Sequence, residues 1–110
     1  MPRNERLYLA EIKQAVDSIS ALVSEPNDLE SDVVQAAVFW NMTVIGEAVR
    51  SLPAEIRDRE PEIPWKAIVG MRNLLVHAYF GIELEQVWRT ISNDLPALGA
   101  AIDRLLENSS

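Results

Sequence analysis

The spacing of apolar residues between Val34 and Leu52 constrains this chain more than any other feature. Val34, Val38, Met42, Ile45, Val49 and Leu52 recur at steps of three and four, which lines them along one face of a helix with 3.6 residues per turn. A strand cannot present such a row, because it turns alternate residues to opposite faces. Val87, Ile91, Leu95, Leu98, Ile102 and Leu105 repeat the spacing, and a looser row runs through Leu7, Ala10, Val16, Ile19 and Val23. Alternation of the strand kind is nowhere sustained, so the chain reads as all-α.

Turn formers divide these rows. The first helix is expected from Arg3 to about Val23 and is closed by SEPNDLESD, in which Asp28 or Ser31 is placed to cap the next helix. The second is expected from about Leu29 to Leu52. Pro53 to Pro64 combine three prolines with six charges and read as a connection with room for one short helical turn. The third helix starts at Pro64 or Trp65, where a proline loses nothing, and runs towards Phe80, with Gly81 as its stop signal. The fourth runs from about Leu84 to Leu106 with a bend at Pro96. A chain of 110 residues, 48% hydrophobic and 25% charged, has material for one core and not two. The expectation is one domain over residues 1–110: an antiparallel, up-down bundle of four main helices with a short extra turn.

The second helix carries a further signal. Trp40, Val44 and Ala48 lie off its main stripe, so it is apolar nearly all round. Either a partner chain covers that side, or the helix is central to its own bundle.

Several classes of function are set aside. No apolar run approaches the roughly 18–20 residues that span a bilayer, and the start MPRNERLYLAEIKQ lacks the apolar stretch of a signal peptide, so a cytoplasmic protein without membrane association is expected. There is no cysteine, and one histidine cannot build a His-rich metal site unaided. No metal or cofactor is expected. The net charge of −7 argues against indiscriminate attraction to nucleic acid. The charge is uneven, however: residues 14–49 hold six acids and no Lys or Arg, whereas residues 50–80 hold Arg50, Arg57, Arg59, Lys66 and Arg72 against four acids. Any phosphate-binding surface belongs to the second block.

Within that block the string RNLLVHAY, Arg72 to Tyr79, concentrates the chemistry. On an ideal third helix, Trp65, Ile68, Val69, Arg72, Leu75, Val76 and Tyr79 share one broad face, which sets Arg72 in an apolar stripe. A guanidinium there must be paired, reach a solvated cleft or lie in a subunit interface. Pairing with Glu47 of the second helix is the structural reading. His77, the only histidine, brings a side chain that takes and gives protons near neutrality, although a histidine near a helix end is more often simply a satisfied polar group. Arg72 and His77 lie about 140° apart around an ideal helix, while Asn73 faces with His77. Loosening of the helix near His77, or a two-fold dimer that sets two third helices side by side, would bring Arg and His onto one phosphate. Such a set suits RNA cleavage without metal, with His77 as base or acid, Arg72 as electrostatic clamp and Asn73 orienting His77 or the phosphate.

The pattern R-x4-H-x-Y formed by Arg72, His77 and Tyr79, inside IPWKAIVGMRNLLVHAYFGIELEQVW, resembles the HepT-like branch of the HEPN superfamily, and NMTVIGEAVRSLP at Asn41 to Pro53 resembles it too. The resemblance implies a homodimer, or higher oligomer, with the Arg/His pairs at its cleft. It implies a ribonuclease toxin acting on RNA, encoded with a minimal nucleotidyltransferase as antitoxin. It also implies that Tyr79 is the acceptor of AMP from that partner. Nucleotides on Tyr79 would set negative phosphate beside the cleft, in competition with RNA for Arg72. Two other readings stand beside this one. The chain is a non-catalytic helical module that docks the nucleotidyltransferase, or a structural helical dimer in which Arg72 simply pairs with Glu47.

Overall fold

A computed structural model of the chain describes residues 1–77 and 81–108, with His77 described for its backbone alone. Its elements are α1 (Arg3–Leu22), a 3-10 turn (Pro26–Glu30), α2 (Asp32–Ser51), α3 (Ala54–Arg57), α4 (Trp65–His77), α5 (Leu84–Arg89), a π-helical segment (Thr90–Asp94) and α6 (Leu95–Glu107). No strand occurs among the described residues, so the chain is all-α as its periodicity requires. α1 packs against both α2 and α6, and α2 packs against both α1 and α4. The pairs run antiparallel: Tyr8 near the start of α1 shares a groove with Ser51 at the end of α2, and Lys13 reaches Asp103 near the end of α6.

The main apolar rows of α2 and of the last helix lie in the core, as the sequence requires. Val38, Met42, Ile45, Val49 and Leu52 of the α2 row are buried, as are all six residues of the row from Val87 to Leu105. For the first helix the expected row holds at Val16, Ile19 and Val23 and is corrected at Leu7 and Ala10. Its buried residues are Leu9, Ile12, Ala15, Val16, Ile19 and Val23, while Leu7 is half-exposed and Ala10 faces outward. The reason is that α1 lies between two neighbours, so it buries a stripe wider than one row.

Local chemistry sets the boundaries. α2 starts at Asp32 and not at Leu29, because Pro26–Glu30 form a separate turn. Asp28 closes that turn by accepting the backbone N–H groups of Ser24 (2.9 Å) and Glu25 (3.1 Å). Ser31 caps α2, its hydroxyl oxygen accepting the Val34 N–H at 3.3 Å. In the expected connection, Pro53–Pro64, α3 supplies the short helical turn. The Trp65 indole N–H then ties the connection to α4 by donating to the carbonyls of Arg57 (3.1 Å) and Glu60 (3.0 Å). The expected end of the third helix at Phe80 lies outside the described residues. Just before Pro96, where a bend is expected, the last helix widens, with the Leu95 N–H bonding the Thr90 carbonyl five residues back. Proline has no N–H to offer the Ser92 carbonyl, and its ring would crowd that oxygen in a regular α-turn, so the π segment absorbs the misfit.

The tightest contact lies where α2 meets α4. A Cβ placed on Gly46 would overlap Arg72 Cβ and sit 2.6 Å from Arg72 Cγ, so only glycine lets α4 approach this closely. Gly70, on α4 itself, is different: a Cβ there would meet nothing within 4 Å. Neither glycine has a positive φ, so alanine at either position is decided by contacts and helix propensity. Gly46→Ala is expected to lower stability by about 1–3 kcal/mol, the usual effect of overpacking. Gly70→Ala is expected to leave stability unchanged or raise it by up to about 1 kcal/mol. Thermal or urea unfolding of the two variants checks both.

At the far end of the bundle the Arg104 guanidinium grips Glu60 through Nε (3.1 Å) and Nη2 (2.6 Å), joining the 53–64 connection to α6. This hydrogen bonding, reinforced by Coulomb attraction, holds the Glu60 carboxyl below the ordinary glutamate value. A depressed carboxylate contributes stability that is fully present above the unfolded-state value and is lost as pH falls through the folded one. Arg104→Gln should therefore lower the melting temperature at neutral pH, and the gap from the native protein should close as pH drops below about 4.

Candidate active site at the α2–α4 seam

Antiparallel packing at Gly46 brings its neighbour Glu47 beside Arg72. The Arg72 Nη2 group makes an ion pair with a Glu47 carboxylate oxygen, and Nη1 donates to Asn73 Oδ1 at 2.9 Å. Arg72 Nε is buried and has no acceptor among the described residues. The arginine side chain is 18% exposed and that of Glu47 50%, so the pair is seated in the seam with its carboxylate half in water. Arg50, one turn along α2, reaches the same carboxylate at 3.9 Å.

The position of Arg72 in α4 refines the expected stripe. Trp65, Ile68, Met71 and Leu75 are the buried residues, Val69 is half-buried and Val76 is 48% exposed. Arg72 thus stands at the border of the buried face and not in its middle, beside Met71 and with its stem against Gly46 of α2. A border position is what a functional cation needs: the stem packs on Gly46 while the head reaches polar partners.

Two depressions flank the seam. One, of about 250 Å³, lies between α1 and α2 and is lined by Tyr8, Trp40, Val44, Glu47 and Ala48 among others. It divides the second apolar side of α2: Ala48 is buried, Val44 half-buried and Trp40 69% exposed. The other, of about 340 Å³, lies on the opposite side and is lined by Arg50, Arg57, Lys66, Val69, Gly70 and Asn73. Glu47 borders the first and Asn73 the second, so the Arg72 cluster separates them.

Of the residues singled out in the sequence, the structure brings Arg72, Glu47 and Asn73 together. Asn73 bonds the arginine, where the sequence suggested that it orients His77 or a phosphate. The side chain of His77 and all of Tyr79 lie outside the described residues; α4 does run to His77. Gly46 was missed. Its signal was legible as a glycine in the middle of a strong helical row, a position that weakens a helix unless packing requires it. Among the described residues no three His, Asp or Glu side chains group as metal ligands, and no helix is long and apolar enough to cross a membrane.

Chemically, the cluster is a guanidinium already desolvated on its stem side and held by an exchangeable carboxylate. A phosphate, like a carboxylate, can present two anionic oxygens to a guanidinium and so compete with Glu47 for Arg72.

The family described as "Ribonuclease HepT-like" matches residues 8–105 of the chain. "Probable ribonuclease HepT" of Thermococcus cleftensis is 33% identical over 108 residues, covering 96% of this chain and 98% of that protein. "Putative RNase TTE0752" of Caldanaerobacter subterraneus subsp. tengcongensis is 33% identical over 108 residues, covering 96% of each. "Gamma-glutamylcyclotransferase and putative RNase MJ0434" of Methanocaldococcus jannaschii is 31% identical over 110 residues, 97% of this chain but 50% of that longer protein. No solved structure matches the chain. The helical bundle, the arginine at its seam and these matches over nearly the whole length agree, and the chain belongs to the HepT-like ribonuclease family.

Proposed function

We propose that this chain is a metal-independent endoribonuclease that acts as a homodimer through Arg72, His77 and Asn73. The observation that carries the proposal is the seating of Arg72: Gly46 fixes its stem, Asn73 and Glu47 hold its head, and it lies on the helix that ends in the chain's only histidine. In the proposed reaction His77 of one chain takes the proton of a ribose 2′-hydroxyl. That oxygen attacks the adjacent phosphorus, the bond to the 5′-oxygen breaks, and the leaving oxygen acquires a proton from the acid of the pair. Arg72 stabilises the charge that grows on the phosphoryl oxygens, and Glu47 holds the guanidinium until phosphate displaces it. The half-open side of α2 around Trp40 is the proposed dimer face, since an indole 69% exposed beside a groove favours a protein contact.

We further propose, on the family resemblance, that the chain is the toxin of a toxin–antitoxin pair. In this reading a minimal nucleotidyltransferase joins the Tyr79 hydroxyl to the α-phosphorus of ATP, with release of pyrophosphate. The added phosphate then competes with RNA for Arg72.

RNA cleavage in the presence of a chelator tests the nuclease. His77→Ala and Arg72→Ala are each expected to lose at least ~100-fold in rate, the usual contribution of a general acid–base group or a charge clamp. Equal cutting by all three proteins, or no cutting by folded, unmodified native chain, refutes the catalytic assignment. The regulatory half is tested by intact mass after co-production with a neighbouring nucleotidyltransferase: one or more AMP units are expected on the native chain and none on Tyr79→Phe.

A further inference from the structure

We infer that the cleft lined by Arg50, Arg57, Lys66, Val69, Gly70 and Asn73 is a binding track for the backbone phosphates of single-stranded RNA, flanking the phosphate held at Arg72. The inference rests on the ribonuclease reading and adds a second, non-reacting binding surface to it.

Three separate elements supply its cations. Arg50 comes from the last turn of α2, Arg57 from α3 and Lys66 from the first turn of α4. In a protein with ten basic and 17 acidic residues, gathering three cations on one cavity of about 340 Å³ sets like charges against one another in the unliganded state. Little on the protein offsets them. Among the described residues neither Arg57 nor Lys66 forms an ion pair, and Arg50 has only the 3.9 Å contact with Glu47. Glu60, three residues beyond Arg57, is already gripped by Arg104. Arg57 Nε is moreover buried and has no acceptor among the described residues, which leaves it a donor for a ligand.

Gly70 is the second independent feature. It lies inside α4, where glycine weakens a helix, yet a Cβ there would touch nothing within 4 Å, so no packing within the chain explains it. As part of the cleft lining it leaves the α4 backbone open to close approach by a ligand. The cleft also joins the reacting site directly, because Asn73 lines it and bonds the Arg72 guanidinium. A row of cations beside a single fixed arginine suits a chain of phosphates spaced along one strand, and it is the sequence block with the positive charge balance that supplies it.

The test uses the full-length His77→Ala chain, which retains the cleft, with a short fluorescent single-stranded oligoribonucleotide titrated at several salt concentrations. Introducing Arg57→Gln and Lys66→Gln together should weaken binding roughly tenfold or more near 0.1 M salt and flatten the slope of log K against log salt by about 1.4, because each phosphate neutralised on a single strand adds about 0.7 to that slope. Lys66→Gln alone, at an exposed position, should flatten it by about half as much. It also serves as the control if Arg57→Gln perturbs folding. RNA bound with unchanged affinity and slope by folded variants overturns the track and leaves the ribonuclease reading standing. No RNA bound by His77→Ala together with no cleavage by the native chain overturns both. Loss of nucleotidyltransferase binding with RNA binding intact would assign the cleft to a protein partner and also overturn the track.

Discussion

The bundle is organised around the place where Gly46 of α2 lies under Arg72 of α4, closer than any side chain on α2 would permit. Removing one Cβ there accomplishes two things at once. It lets the apolar sides of α2 and α4 meet, burying Met42, Ile45, Ile68 and Met71, and it lays the arginine stem across α2 so that its head meets Glu47. The same contact therefore belongs both to the core and to the site. A glycine that weakens α2 locally is offset by packing between helices, which supplies most of the stability of any helix in a folded protein.

Charge follows a comparable division. Ion pairs that join distant parts of the chain, Glu60 with Arg104 and Lys13 with Asp103, lie on the side where α6 meets its neighbours. At the α2–α4 seam, by contrast, Glu47 is the carboxylate shared by Arg72 and Arg50, and Arg57 and Lys66 stand without ion-pair partners among the described residues. An acidic protein can thus present a locally cationic surface without a cationic total, which favours selective over indiscriminate contact with nucleic acid.

Much of this was legible in the residues. The main rows of α2 and the last helix could be read directly because their apolar residues keep steps of three and four throughout, and Arg72 with Glu47 could be anticipated because a guanidinium at an apolar stripe needs a nearby anion. The α1 row held at Val16, Ile19 and Val23 but not at Leu7 and Ala10, because two neighbours widen its buried face and several helical rows fit it equally well. The start of α2 shifted from Leu29 to Asp32 because a turn whose backbone N–H groups bond Asp28 intervenes, a competition between side chain and helix that periodicity does not register. The importance of Gly46 depends on what lies opposite it, and residue 72 is 26 positions away in sequence. Pairings across that distance are set by tertiary packing, so a single sequence announces the glycine but not its counterpart. The proposed roles of Tyr79 and of a nucleotidyltransferase rest on the family resemblance alone, since no spacing argument names either.

The widened turn at Thr90–Asp94 bears on how this chain tolerates change in its length. A π turn is an α-helix that holds one residue more than its neighbours need, kept because Pro96 prevents the regular alternative. Elsewhere in α1, α2 or α4, deleting a residue rotates everything beyond it by about 100° and turns the core face outward. Within 90–94 a deletion can be absorbed by the turn itself, leaving Leu98, Ile102 and Leu105 close to their place. Length variation within the last helix should accordingly concentrate at this segment, with the proline as its marker.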